Sequence, residues 1–521
     1  MRMRHPLLYQ LNTRVYLTER SRQLDRPASF DDIPDILLDQ LADLGFGWIY
    51  LPGIWQTGAA ARDISRSSET VLNEAQRYLP DFTQKDIVGS PFAVQAYEPN
   101  HELGDKAALA RLRKRGHMRG IKLMLDFVPN HIAPDHHWVL SHPQYLIPGT
   151  EQDVVREPQN WGRFETPGGR RVFAFGRDPY FPGWSDTVQL NYRHQGFRQA
   201  MIKQLDEVAH VCDGVRCDMA MLVEPDIFLK TWGERSLPAD GSEPTNSPFW
   251  LEAIARVRRK HPSFTFMAEV YWDMERRLQQ EGFDFTYDKR LYDRLHEGAA
   301  TTVREHLLAE EDFQNRSARF LENHDEPRAA SRFSPEMHYA AAVITFFSPG
   351  LRFFHEGQME GWKHHVSMHL GRRLQEPTNA EIHSFYSLLL RCLRRPELHQ
   401  GRFELLEPQR AWAANETSKN FICFSWLDEA EHCSLVAVNY SPCQSQCYVE
   451  LNLDLLPDEP IRFSDQLGAA SFERSGAEVK ARGLYLDLPA WGYHLFDVAP
   501  VAKKAMPARK RRAERLEAMA V

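Results

Sequence analysis

The residues with the clearest chemical potential are acids, histidines and one arginine standing at the ends of short apolar runs. In Asp213-Gly-Val-Arg-Cys-Asp218, apolar Val215 and Cys217 alternate with Arg216 and Asp218. A period of two places Arg216 and Asp218 on the same side of a strand. The cation favours the ionised carboxylate and lowers its pKa, which suits a nucleophile. Taken alone, such a pair serves equally well as a structural ion pair at a strand end. Three other runs end in the same way. Residues 121–126 end at Asp126, with His131 just beyond, and residues 264–269 end at Glu269. Residues 319–323 lead into His324 and Asp325. Gathering several buried acids at one rim without a function would be costly, because like charges repel and desolvation raises their pKa values. One ionised and one protonated carboxyl facing each other across a glycosidic bond is what glycoside cleavage requires.

For these groups to meet, their strands must lie side by side with their carboxyl ends together. Eight runs read as strands: 7–11, 48–51, 121–126, 213–218, 264–269, 283–287, 319–323 and 351–354. Helical patterns lie between them; in 196–211, for example, Phe197, Met201, Leu205 and Val208 recur at helical spacing. Eight alternations predict a (β/α)8 TIM barrel rather than an open doubly wound sheet, with active residues at the carboxyl ends of the strands. The gap between the third and fourth strands is far longer than one crossover helix needs. Its middle, 158–184, is rich in Pro, Gly, Trp and Phe, so a small inserted domain is expected at 128–191. There Trp161, Phe164, Tyr180, Phe181 and Trp184 are expected to form a local core more than a sugar platform. Residues 57–89 read as a long polar connection. The barrel would then comprise 1–127 and 192–398. Beyond it, short strands at 422–426, 434–439, 447–451 and 483–488 predict an antiparallel β-sandwich over 399–500.

Composition narrows the class. A formal net charge of -8 gives no broad basic footprint for nucleic acid. The exception is the 501–521 tail, where Lys503, Lys504, Arg509, Lys510, Arg511, Arg512 and Arg515 cluster; it reads as a disordered, solvated terminus. No apolar run is long enough to span a bilayer, and the start has no signal-peptide core, so no membrane partner is expected. The seven cysteines show neither metal-ligand spacing nor a disulfide framework. They read as free thiols in a reducing cytoplasm, with no metal site predicted.

Four segments together carry a resemblance: Asp126-Phe-Val-Pro-Asn-His131, Gly214-Val-Arg-Cys-Asp218, Ala268-Glu269 and Glu322-Asn-His-Asp325. In that order they resemble the four short motifs of the α-amylase family, glycoside hydrolase family 13. The long insertion is similar to that family's domain B, with Gln189-Leu-Asn191 near its end, and the sandwich is similar to its C-terminal domain. The resemblance implies Asp218 as nucleophile, Glu269 as general acid and then base, and Asp325 as the acid that holds sugar hydroxyls and favours the distorted ring. It implies substrate contacts from Asp126, His131, Arg216 and His324, with Tyr97 stacking on the sugar. The expected activity is retaining hydrolysis of α-glucosidic bonds in α-glucans or malto-oligosaccharides. The chain departs from the pattern at Ala96, where many members carry Asp before the tyrosine. It departs again at Met221 and Leu222, where typical α-amylases carry Lys-His. The second departure motivates an alternative, an α-glucosyl transferase or sugar isomerase on the same scaffold. A non-catalytic sugar-binding or partner protein is a third reading; such relatives usually lose a catalytic acid, and none is lost here. Asn130 matches the family's calcium asparagine without its histidine partner, so calcium has one supported ligand and no cofactor is required.

Overall fold

The structure, a computed structural model, describes residues 4–430, 432–451 and 458–501. The basic cluster between Lys503 and Arg515 lies outside the described residues. Two compact units divide at residues 395 and 396.

The first unit is built on a closed barrel of eight parallel strands: β1 Leu7–Gln10, β2 Phe46–Tyr50, β3 Lys122–Phe127, β4 Gly214–Cys217, β5 Thr265–Ala268, β6 Phe285–Tyr287, β7 Ser317–Arg319 and β8 Leu351–His355. Each pairs with its sequence neighbours, and β8 closes on β1, where Leu7 faces Arg352 and Gln10 faces His355. These strands are buried on both faces, which is why they read as near-continuous apolar runs.

The barrel interior is filled by residues at alternate positions. Leu8, Trp48, Tyr50, Met124, Met267, Phe285, Tyr287, Ala318, Leu351 and Phe353 form one buried cluster. Two residues further along the strands, on the same inward side, Met124 is followed by Asp126, Met267 by Glu269, and Gly214 by Arg216. The inward face thus changes from apolar to charged at the carboxyl end of the barrel. The register sets Arg216 directly opposite Asp126 on one side and Met267 on the other. Gly214 is small for a reason: a Cβ there would come within 2.7 Å of the Thr265 carbonyl and 3.3 Å of the Trp48 ring.

Two expectations need correction. The seventh strand is Ser317–Arg319, four residues short of the expected end. Beyond it the chain turns on Asn323, whose Oδ1 accepts from the backbone N–H of Asp325 at 2.8 Å and of Glu326 at 3.0 Å. Residues 57–89 are not merely a connection. They hold the helices Ala59–Ser67 and Glu69–Tyr78, the second capped by Ser68, which bury Ala61, Ser65, Val71 and Ala75. Strands Trp55–Thr57 and Val94–Pro99 flank this pair. The insertion after β3 is anchored by Ile132 and His131 pairing with Val188 and Gln189, and it carries a hairpin of Trp161–Thr166 with Gly169–Ala174.

The second unit has a six-stranded antiparallel sheet and a three-stranded sheet. Phe421, Cys423, Leu435, Ala437, Cys447, Phe463 and Phe496 are among the residues of their shared core. The seven cysteines, all among the described residues, form no disulfide. No helix among the described residues is long and apolar enough to cross a membrane.

Candidate active site

A single guanidinium organises the site. Arg216, at the inward end of β4, is 1% exposed. Its Nη1 lies 2.6 Å from Asp218 Oδ1, and its Nη2 lies 2.8 Å from Glu269 Oε2. The same group is 3.7 Å from Asp325 Oδ2 and 3.9 Å from Asp126 Oδ1. Its Nε donates to the Tyr287 hydroxyl at 3.3 Å, and its face lies over the ring of Phe92. Four carboxyl groups from three strand ends and the loop after β7 therefore share one fixed cation. A planar fork can serve two acids at once in a way an ammonium cannot.

The backbone fixes the two closest acids. Asp218 N–H donates to the Phe127 carbonyl, and Glu269 N–H donates to the Cys217 carbonyl, so the ladder runs on past the strands. Glu269 Oε2 also accepts from the Met219 N–H at 2.8 Å, and its Oε1 accepts from the Tyr271 hydroxyl at 2.9 Å. Met219 reaches Glu269 because its backbone is left-handed, with φ 41°. That conformation is disfavoured for a side chain with a Cβ. Asp325 is the most open acid, its side chain 40% exposed.

Arg216 was expected to hold the Asp218 pKa low, and here the structure corrects the sequence. Burial is the largest influence on Asp218 and pushes it up to about 7; Arg216 opposes that shift, and the nearby Glu269 adds to it. Asp325 is raised as well, by burial and then by Glu269.

Two histidines complete the rim. His324 Nδ1 sits 2.8 Å from the Gln10 amide nitrogen, which can only donate. The His324 proton is therefore on Nε2, which lies 3.1 Å from Asp325 Oδ2 without the alignment of a hydrogen bond. His131 Nε2 has no hydrogen-bond partner among the described residues, and its ring packs on Trp184. Burial lowers the His131 pKa to about 4 and takes His324 well below its ordinary value, so both are neutral at neutral pH. A neutral imidazole can present an N–H to a hydroxyl.

These groups open onto a cleft of about 320 Å³ lined by Asp218, Glu269, Asp325, His131, His324, Phe92, Trp184 and Met219. Its far wall is Glu74, Ser90, His365, Ser367, Met368 and His369, with Ser367 Oγ donating to Glu74 at 2.9 Å. A larger cavity of about 430 Å³ around Arg14, Arg62, Asn100 and Glu102 holds none of these acids. The smaller one is the site because the chemistry converges there.

Of the expected residues, Asp218, Glu269, Asp325, His131 and His324 line the cleft, and Arg216 lies directly beneath. Asp126 does not reach it. Its Oδ1 accepts from the Tyr50 hydroxyl at 2.5 Å and its Oδ2 from the Gly53 N–H at 2.8 Å, so it supports the arginine from below. Tyr97 does not line the cleft either. Its ring stacks on Phe127 at 5.5 Å, and its hydroxyl both donates to and accepts from the Val128 backbone. Phe92 holds the aromatic position at the cleft, 5.6 Å from the His324 ring. It was missed because Tyr97 drew the motif argument. Trp184 was expected in a local core yet stands in the cleft wall, whereas Trp161 is buried and Tyr180 and Phe181 are exposed.

The calcium position fits poorly. Asn130 Oδ1 and the Asn130 carbonyl both accept from the Gln189 amide, at 3.0 and 2.9 Å. Calcium takes 6–8 oxygen ligands, and these two oxygens are committed to pinning the insertion to the barrel.

The profile described as the α-amylase catalytic domain matches residues 38–384. The chain is 24% identical over 363 residues to "Alpha-amylase MalA" of Haloarcula japonica, covering 68% of this chain and 44% of that protein. It is 25% identical over 274 residues to the α-1,4-glucan:maltose-1-phosphate maltosyltransferase of Burkholderia pseudomallei, covering 51% of this chain and 20% of that one. The matches thus span less than half the length of these two relatives. Among solved structures, a noncanonic maltogenic α-amylase from Thermotoga neapolitana superposes with TM-score 0.68 at 19% identity, covering 96% of this chain and 100% of that one. An α-amylase from Lactobacillus plantarum gives TM-score 0.64 at 21% identity, covering 95% and 98%. At these identities the likeness is one of fold.

Proposed function

Because this chain belongs to the α-amylase family, we propose that it is a retaining glycoside hydrolase cleaving α-glucosidic bonds of α-glucans or malto-oligosaccharides by double displacement. The observation that carries the reading is the Arg216 fork, with Asp218 on one arm and Glu269 on the other. Two carboxyls tied to one guanidinium suit the roughly 5–5.5 Å spacing of a nucleophile and acid/base pair better than the wider gap that admits a water between them.

Asp218 Oδ1 is held by Arg216, which leaves Oδ2 to attack the anomeric carbon. Glu269 Oε2 faces two groups that can only donate, Arg216 and the Met219 N–H, whereas Oε1 meets the Tyr271 hydroxyl, which can turn to accept, so the transferable proton belongs on Oε1. From there it passes to the departing glycosidic oxygen. A water then loses its proton to Oε1, attacks the glycosyl–Asp218 ester and restores both acids. The N–H of His324 and of His131 and the open carboxyl of Asp325 bind ring hydroxyls, while Phe92 covers the sugar face.

A transferase reading is favoured by one observation, the match to maltosyltransferases over about half of this chain. The Met221 and Leu222 departure does not support it. Both side chains are buried, at 0% and 3% exposure, and neither lines the cleft. Proton NMR of freshly formed products from maltotriose tests both readings. The α-anomer appearing first, and its loss in Glu269→Gln, is expected; the β-anomer first would reject double displacement. Products longer than the substrate would favour transfer.

A further inference from the structure

The proposed mechanism leaves one group of ligating side chains unused, at the amino ends of β4 and β5, opposite the cleft. Asp206 and His210 stand one turn apart on the helix Gln195–Val211, and His261 follows the helix Phe249–Lys260. One donor atom from each of the three lies within 4.8 Å of the others.

The hydrogen bonding there is incomplete. His210 Nδ1 donates to the Asp206 carbonyl at 2.8 Å, which leaves the lone pair on Nε2. Asp206 Oδ2 takes Lys260 Nζ at 2.5 Å. Its Oδ1 is shut from solvent with no hydrogen-bond partner among the described residues, and so is His261 Nε2. These two atoms face each other at 3.6 Å. With a proton on Nε2 the two form an ion pair of 3.6 Å, too long for a good hydrogen bond, so neither atom is fully satisfied. A cation between them would satisfy both. Tetrahedral zinc, with bonds of about 2.0–2.2 Å, places neighbouring ligand atoms about 3.4 Å apart. The Asp206–His261 separation needs only a few tenths of an ångström of adjustment, while the His210 atom, within 4.8 Å of the other two, has the longer distance to close.

The donor chemistry selects the ion. Two imidazoles and one carboxylate oxygen suit zinc-class metals and not calcium or magnesium, which need oxygen donors. The groove beside Asp206 is lined by Lys203, Arg256, Arg259 and Lys260. Their charge disfavours a cation held by electrostatics alone, so binding must come from the imidazole lone pairs. Lys260 holds the other oxygen, Oδ2, and with its side chain 64% exposed can swing into water as the metal binds.

We propose that Asp206, His210 and His261 form a three-ligand site for a zinc-class divalent ion, with the remaining coordination open to water, that ties together the ends of two barrel helices. The test is titration of tag-free protein with Zn2+ by calorimetry at neutral pH, together with anomalous diffraction from zinc-soaked crystals. The expected results are one tight equivalent and an anomalous peak among the three side chains. His210→Ala and His261→Ala should each weaken that equivalent at least about tenfold, abolish the zinc-dependent rise in Tm, and leave turnover of maltotriose unchanged. Wild-type uptake no greater than that of the double variant, or an anomalous peak elsewhere with none here, would overturn the proposal. The diffraction arm decides the question even if a variant folds poorly.

Discussion

Arg216→Lys is the sharpest perturbation of this site, because it keeps the charge and removes the fork. The guanidinium makes two charge-assisted contacts, 2.6 Å to Asp218 and 2.8 Å to Glu269, from two different nitrogens. A single ammonium cannot occupy both positions, so one contact is lost. A hydrogen bond to a charged group contributes about 1.5–3 kcal/mol. At about 1.36 kcal/mol per tenfold in rate, kcat/KM should fall about 10- to 150-fold. The pH profile adds an independent readout. Burial sets Asp218 at about 7 against the opposing pull of Arg216. Attack requires the ionised form, so activity falls as pH drops through that value. Weakening the cation raises the pKa further and moves the acid limb of kcat/KM to higher pH. The assay is stopped-time release of reducing sugar from maltotriose across pH 5 to 9, with Tm recorded for each variant. Wild-type activity in Arg216→Lys, or an acid limb that moves to lower pH, would refute the claim that this fork poises the acids.

Other predictions follow from single contacts. Asp218→Asn should gain stability over wild type as pH rises from 5 to 8, seen as a widening Tm difference. The folded pKa of about 7 lies above the ordinary carboxylate value, so the stability Asp218 contributes is full below about pH 4 and is lost as pH rises through 7. At residue 219 the usual order of Ala over Gly should invert. Met219→Gly relieves a left-handed backbone that Met219→Ala keeps, so the glycine variant should be more stable by about 1 kcal/mol in urea unfolding. Phe92→Ala should raise KM for maltotriose, because its ring faces the cleft. Tyr97→Phe should instead cost about 1–3 kcal/mol of stability and leave KM near wild type, because its hydroxyl bonds only the Val128 backbone.

The barrel was legible because parallel strands buried on both faces leave clear apolar runs, each ending where a polar residue emerges. The same feature exposed Asp218, Glu269 and Asp325, which stand at or just past strand ends. Depth was not legible. Asp126 has the same sequence signature as Glu269, yet it sits one layer lower, and only the register opposite Arg216 distinguishes them. The balance at Asp218 was also hidden, since an arginine two residues away is visible in sequence and enclosure by the rest of the cleft is not. Residues 319–323 read as a strand by composition, but the strand ends at Arg319 and the Asn323 side chain captures two backbone N–H groups and turns the chain. The far wall of the cleft comes from the helix carrying Glu74 and from residues 365–369, segments whose only sequence signal is amphipathic spacing or polarity. The group around Asp206 shows in sequence only as an Asp–His pair one turn apart, because its third member comes from another helix.

The central claim is that Asp218 forms the covalent bond to the sugar. The direct measurement is mass spectrometry of the enzyme quenched after reaction with a fluorinated α-glucosyl fluoride, which slows release of the glycosyl group. One added glycosyl mass, mapped to the peptide containing Asp218 and missing in Asp218→Asn, is the predicted result. A fully active enzyme that never gains that mass, or that carries it on Glu269 or Asp325, would contradict the account.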